Sequence, residues 1–232
     1  MSELRKFVIT SGVAIAMVSG LAWAATPFGA DDSGSIPPDA PKGPVTRCEN
    51  LVAKNVSKLA SDIIKCHIAR AGGKLVDDTA EDACEATATT KFEVAKLTGC
   101  TACTDVTATA VAIESLVDKN GGKIYCSVGT PFGGDDKGNI PPDAPTGPVT
   151  RCENAVAKNV GKLMAGLIKC HIARASGKLV DDTAEEACEA TAQTKFQVTN
   201  PQGCTACTNL VALSATVETL IDNANGLAYC AP

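Results

Sequence analysis

Residues 46–70 read TRCENLVAKNVSKLASDIIKCHIAR, and residues 150–174 repeat them as TRCENAVAKNVGKLMAGLIKCHIAR. Cys48, Val52, Val56, Leu59, Ile63 and Cys66 step by three and four, the spacing of one face of an α-helix. The two cysteines lie 18 residues apart, five full turns, so both thiols point to the same side. Thr46 is placed as N-cap with Glu49 three residues on, the pattern of a capping box. An 18-residue cysteine spacing on the buried stripe of a helix is the mark of a stapled helical domain.

The repeat extends well beyond this segment. A 104-residue offset carries Cys48, Cys66, Cys84, Cys100, Cys103 and Cys126 onto Cys152, Cys170, Cys188, Cys204, Cys207 and Cys230, and so accounts for all 12 cysteines. His67 falls on His171, Phe92 on Phe196 and Tyr125 on Tyr229. The chain is a tandem duplication, with residues 25–126 as the first Cys-rich helical repeat and 127–232 as the second.

After the turn at Gly72 and Gly73, a second helix is expected over 79–96, capped by Asp78, with Ala80, Cys84, Ala88, Phe92 and Ala95 facing inward. A third begins near Thr101 and presents Cys103, Val106, Ala110, Ile113 and Val117 before stopping at Gly121 and Gly122. Short connections make the three helices antiparallel. The fold class is therefore all-α: two tandem disulfide-stapled antiparallel three-helix domains, each preceded by an extended Pro/Gly/Asp-rich arm, Pro27–Pro44 and Pro131–Pro148.

In an antiparallel hairpin, residues equidistant from the turn lie level, which pairs Cys66 with Cys84, and by repetition Cys170 with Cys188. The same rule places Cys48 beside Cys100 and Cys103, one of which is its expected partner. The remaining cysteine and Cys126 would then be separated by a helix of roughly 30 Å, beyond disulfide reach. That connectivity, and with it Cys230, stays open among the 15 that six cysteines allow.

The arms are not passive. Across the two copies 20 of 24 positions match from Pro27 to Asn50, but only 5 of 10 from Lys91 to Cys100. Phe28, Ile36, Phe132 and Ile140 supply apolar anchors, and each arm is expected to dock in a groove of its own domain.

At the start of the chain, Arg5 and Lys6 precede an uncharged run that ends in Ala22-Trp23-Ala24, the pattern of a secretory signal over residues 1–24. The expected location is secreted, periplasmic or extracellular, with no stable membrane span after cleavage. Removing Glu3, Arg5 and Lys6 changes 21 basic against 26 acidic residues to 19 against 25. Without a basic stripe, nucleic acid is a poor partner. Aromatics at 3% offer no stacking platform.

Chemical candidates are few. Cys100-Thr101-Ala102-Cys103 and its copy Cys204–Cys207 sit at a helix N-terminus, where a dipole lowers thiol pKa, but no thioredoxin-like strand surrounds them. Lys65-Cys66-His67 has the end of a C-x-x-C-H haem motif without its first cysteine. Asp31-Asp32-Ser33-Gly34-Ser35 and Asp135-Asp136-Lys137-Gly138-Asn139 offer clustered oxygens but lack the distal glutamate of a calcium loop, and read as acidic turns. Asp77, Asp78, Glu81, Asp82 and Glu85 read as a solvated first helical turn.

No catalytic constellation emerges, and no cofactor is expected. All 12 cysteines are assigned to structural disulfides, and the chain to a non-catalytic exported binding, cell-surface or matrix component. Its partner is an unidentified protein or surface, with self-association through the arms as a further route. The alternative is a periplasmic metal-binding or thiol-redox protein using Cys66, His67, Cys84 and Cys126, with Cys170, His171, Cys188 and Cys230 in the second copy.

Overall fold

The computed structural model describes residues 26–95, 105–199 and 209–230. Residues 1–24, read above as a secretory signal, and Cys100, Cys103, Cys204 and Cys207 lie outside them. Each repeat contributes a short hairpin and three helices: β1 (Thr26–Pro27), β2 (Ser35–Ile36), α1 (Pro44–Ala71), α2 (Asp78–Glu93) and α3 (Val106–Asn120), then β3 (Thr130–Gly133), β4 (Asp136–Ile140), α4 (Pro148–Ala175), α5 (Asp182–Thr199) and α6 (Leu210–Ala224). The all-α expectation holds, with the two hairpins as minor elements.

Helix α1 starts two residues before Thr46, with Gly43 as N-cap and Pro44 in its first turn. Its free amides are satisfied from outside. Asp39 accepts the backbone N–H of Val45 at 2.8 Å and of Thr46 at 2.9 Å, and the Thr46 hydroxyl at 2.8 Å. Glu49 therefore closes no capping box; it is buried and accepts the backbone N–H of Cys230 at 3.2 Å. Helix α2 is capped one residue earlier than expected, by Asp77, whose side chain accepts from the Ala80 N–H.

Cys66 and Cys84 are bonded, as are Cys170 and Cys188, with Cα atoms 5.8 Å apart in each pair. Cys48, Cys126, Cys152 and Cys230 are disulfide-bonded too, and no described cysteine is free. A disulfide closing an 18-residue loop contributes about 3 kcal/mol. Replacing Cys66 and Cys84 together by serine is expected to lower the melting temperature by roughly 6–12 °C, since each kcal/mol shifts a chain of this size about 2–4 °C. Thermal unfolding followed by circular dichroism checks this.

The two repeats do not form separate modules. Helices α1 and α4 pack along each other, burying Ala53, Val56, Ala60 and Ile64 with Ala157, Val160, Met164 and Ile168 in one core. Reciprocal hydrogen bonds tie the halves: Tyr229 Oη donates to Asn50 Oδ1 at 2.7 Å and Tyr125 Oη to Asn154 Oδ1 at 2.8 Å.

The arms depart from expectation in shape and in destination. They are antiparallel hairpins rather than extended segments, because their glycines accept left-handed backbone: Gly34 has φ 90° and Gly138 φ 112°. They dock on the bundle of the other repeat, not on their own. Phe132, from the second arm, packs on Tyr125 and His67 with ring centroids 5.0 and 5.8 Å away, and the Asn139 N–H donates to the Tyr125 carbonyl. Phe28, from the first arm, packs on Tyr229 and His171 at 4.7 and 5.8 Å, and the Ser35 N–H donates to the Tyr229 carbonyl. The second arm simply folds back on the bundle it follows. The first crosses the molecule to close the same arrangement at the other end.

Candidate functional site

Docking of the hairpins completes a buried polar cluster in each half. In the first, His67 comes from the last turns of α1, Glu81 and Glu85 from successive turns of α2, Asp118 from the end of α3, and Asp136 from β4. Each of the five is at most 8% exposed. Around His67 Nε2 stand Glu85 Oε1 at 3.0 Å, Asp136 Oδ1 at 3.0 Å, Asp118 Oδ1 at 3.4 Å and Glu81 Oε1 at 4.0 Å. In the second half, Glu189 stands at 2.9 Å from His171 Nε2, Asp32 at 3.1 Å, Asp222 at 3.5 Å and Glu185 at 4.0 Å. The two centres are copies, with the hairpin carboxylates exchanged between repeats.

These oxygens pair with Nε2 by charge, but none has the geometry of a well-aligned hydrogen bond to it. Neither Nε2 nor Glu85 Oε1, Asp118 Oδ1, Asp136 Oδ1 or either oxygen of Glu81 has a hydrogen-bond partner, although all are buried. A single N–H could satisfy one acceptor at most. Four acceptors gathered around it, none in line, leave unsatisfied groups that each cost kilocalories when buried.

Electrostatics tells the same story. Burial, followed by Asp136 nearby, pushes Glu81 up to about 8. Burial likewise raises Glu85 to about 7 and lifts Asp118. Burial alone would make His67 a weaker base, but Asp118, Asp136 and Glu85 outweigh it and raise the imidazole well above its ordinary value. Arg70 Nε, 3.7 Å from Glu81 Oε2, adds one more positive charge at the edge. His171, Glu185, Glu189, Asp222 and Arg174 show the same pattern. Four carboxylates against one imidazole and one guanidinium leave a deficit of positive charge that only protons or a cation can fill.

The distances also have the form of a coordination shell. With ligands at about 2.1 Å in an octahedron, adjacent donors lie about 3.0 Å apart and opposed donors about 4.2 Å; ligands at about 2.4 Å, as for calcium, give about 3.4 and 4.8 Å. The Glu85 and Asp136 oxygens at 3.0 Å from His67 Nε2 and the Glu81 oxygen at 4.0 Å fit the smaller ion, while Asp118, at 3.4 Å from Nε2, stands outside the group these four residues form. The ligating atoms of His67, Glu81, Glu85 and Asp136 all lie within 4.8 Å of one another.

The sulfur ligands weighed from the sequence are excluded. Cys66 with Cys84, and Cys170 with Cys188, are disulfides, and Cys126 and Cys230 are bonded as well, so none is a thiolate. The histidines remain candidate ligands, but with carboxylates rather than sulfur beside them. Glu81 and Glu85, read as solvated, are buried, because they continue the inward stripe through Ala88 and Phe92 at steps of four, three and four. Ala80 and Cys84 are only partly buried. Asp32 and Asp136, read as parts of acidic turns, reach into the centres. Asp118, next to Val117 on the third helix, recurs as Asp222 across the 104-residue offset, the signal that could have singled it out.

No protein-family model matches the chain, and no curated protein and no solved structure matches it.

Proposed function

We propose that the protein is an exported, non-catalytic cation-binding protein, holding a small divalent metal ion in each of its two His/carboxylate centres. One observation carries this reading: in each half, four carboxylates each place a buried oxygen without a hydrogen-bond partner within 4.0 Å of one imidazole nitrogen. The donor set, oxygen-rich with a single imidazole, suits manganese(II), iron(II) or zinc(II) better than copper(I), which favours thiolates.

Two further features support the proposal. Every described cysteine is disulfide-bonded, which fits an oxidising compartment outside the cytoplasm. No described helix is long and apolar enough to cross a membrane. Ligands as buried as Glu81, at 0% exposure, and His67, at 4%, leave no open face for a substrate, which favours holding an ion over turning one over.

Metal analysis of protein recovered unreduced from its native compartment, followed by calorimetric titration, tests this. At least two equivalents of a first-row divalent ion, bound more tightly than calcium, are expected. Metal-free protein that takes up none of manganese, iron or zinc would end the reading.

A further inference from the structure

The second half contains more unpartnered carboxylate than one ion needs. Asp32 reaches His171 with Oδ1, yet its Oδ2 is also buried without a hydrogen-bond partner, on a side chain only 1% exposed. Glu185, at 0% exposure, has both oxygens in the same state. Asp32 and Glu185 gather with Asp182, from the first turn of α5, with one oxygen from each inside 4.8 Å. Asp182 in turn gathers with Asp31 and Glu186 within the same limit. Asp182 Oδ1 and Glu186 Oε1 are again buried and unpartnered.

Gly29 keeps this region open. A Cβ there would collide with Asp182 Oδ1 and stand 3.1 Å from Asp32 Oδ2. The hairpin thus brings bare backbone to the place where two unpartnered oxygens meet. A carboxylate that offers one oxygen to each of two ions is the usual bridge in paired metal sites, where the ions lie roughly 3.5–4 Å apart.

Resting on the cation-binding reading above, we propose that the second half holds a pair of divalent ions. His171, Glu189 and Asp222 hold one, Asp31, Asp182 and Glu186 hold the other, and Asp32 and Glu185 bridge them. The first half holds a single ion. There Asp82 stands in place of Glu186, one methylene shorter, and Asp78, Asp82 and Asp135 form no comparable group among the described residues. The full chain therefore takes three ions.

Equilibrium dialysis of the metal-free full-length protein against manganese(II), with electron paramagnetic resonance of the loaded form, tests the assignment. Three equivalents are expected, with an exchange-coupled two-manganese spectrum beside a single-ion spectrum. Glu186→Gln, a same-shape change at a partly exposed position, should reduce binding to two equivalents and abolish the coupled spectrum. Two equivalents in the unaltered protein with no coupling would overturn the pair while leaving the single-ion centres standing. Four equivalents, with coupling that survives Glu186→Gln, would overturn its assignment to the second half. No manganese bound at all would remove both the pair and the reading beneath it.

Discussion

Manganese(II) or zinc(II) added to the metal-free protein is expected to raise its melting temperature by roughly 15–30 °C at pH 8. A ligand present at a thousand times its dissociation constant stabilises the folded form by about 4 kcal/mol per site. Two such sites, at about 2–4 °C per kcal/mol for a chain of this length, give that range. The effect should be much smaller at pH 5, where protons already occupy Glu81, Glu85, Glu185, Glu189 and the imidazoles.

The sign without metal is the opposite. Glu81 rises from an ordinary 4.5 to about 8 and Glu85 to about 7, so the folded protein binds more protons than the unfolded chain between about pH 4.5 and 8. Stability falls as pH rises through that window. His67, whose folded pKa is also raised, acts in the same direction, its contribution being complete below 6.5 and lost as pH climbs through the raised value. Metal-free protein should therefore melt lower at pH 8 than at pH 5, and the cation should reverse the order. A melting temperature that ignores both pH and metal would contradict the electrostatic account of the centres.

Asp32→Asn is expected to weaken the second centre by at least about 100-fold, since loss of partners outside the coordination shell alone costs about 10–100-fold. It should leave the first centre as it was. This result is opposite to what proximity in sequence suggests, because Asp32 is 35 residues from His67 and 139 from His171. In the folded chain it stands 3.1 Å from His171 Nε2. Asp136→Asn should do the converse, disturbing His67 alone. The chain contains two histidines, one per centre, so their imidazole resonances report each site separately. A shift at His67 on changing Asp32 would mean that each arm docks on its own repeat.

That exchange of arms marks the limit of what the sequence discloses. The Cys66–Cys84 bond follows from counting residues to a turn, because antiparallel geometry is local. Helix α1 follows from the three-and-four spacing of its apolar residues. The destination of a hairpin is set by which groove is near enough once α1 and α4 have packed, and no local pattern encodes it. Glu81 and Glu85 were legible in principle: their positions continue the stripe of Ala88 and Phe92, and only the chemistry of carboxylates argued for solvent. A charged pair on an apolar stripe, preserved across a 104-residue offset together with a histidine, is the pattern to seek. Asp118 and Asp136 are preserved across the same offset, as Asp222 and Asp32, but no local spacing places them on the inward stripe, and tertiary packing brings them to the centre.

The most direct measurement is a long-range proton–nitrogen correlation spectrum of the imidazoles, recorded at pH 8 before and after zinc(II) is added. The account predicts that both histidines become neutral rings ligated through Nε2, each in slow exchange with its metal-free form. Two imidazoles that keep their metal-free resonances in excess zinc would show that the carboxylate cages bind protons and nothing else.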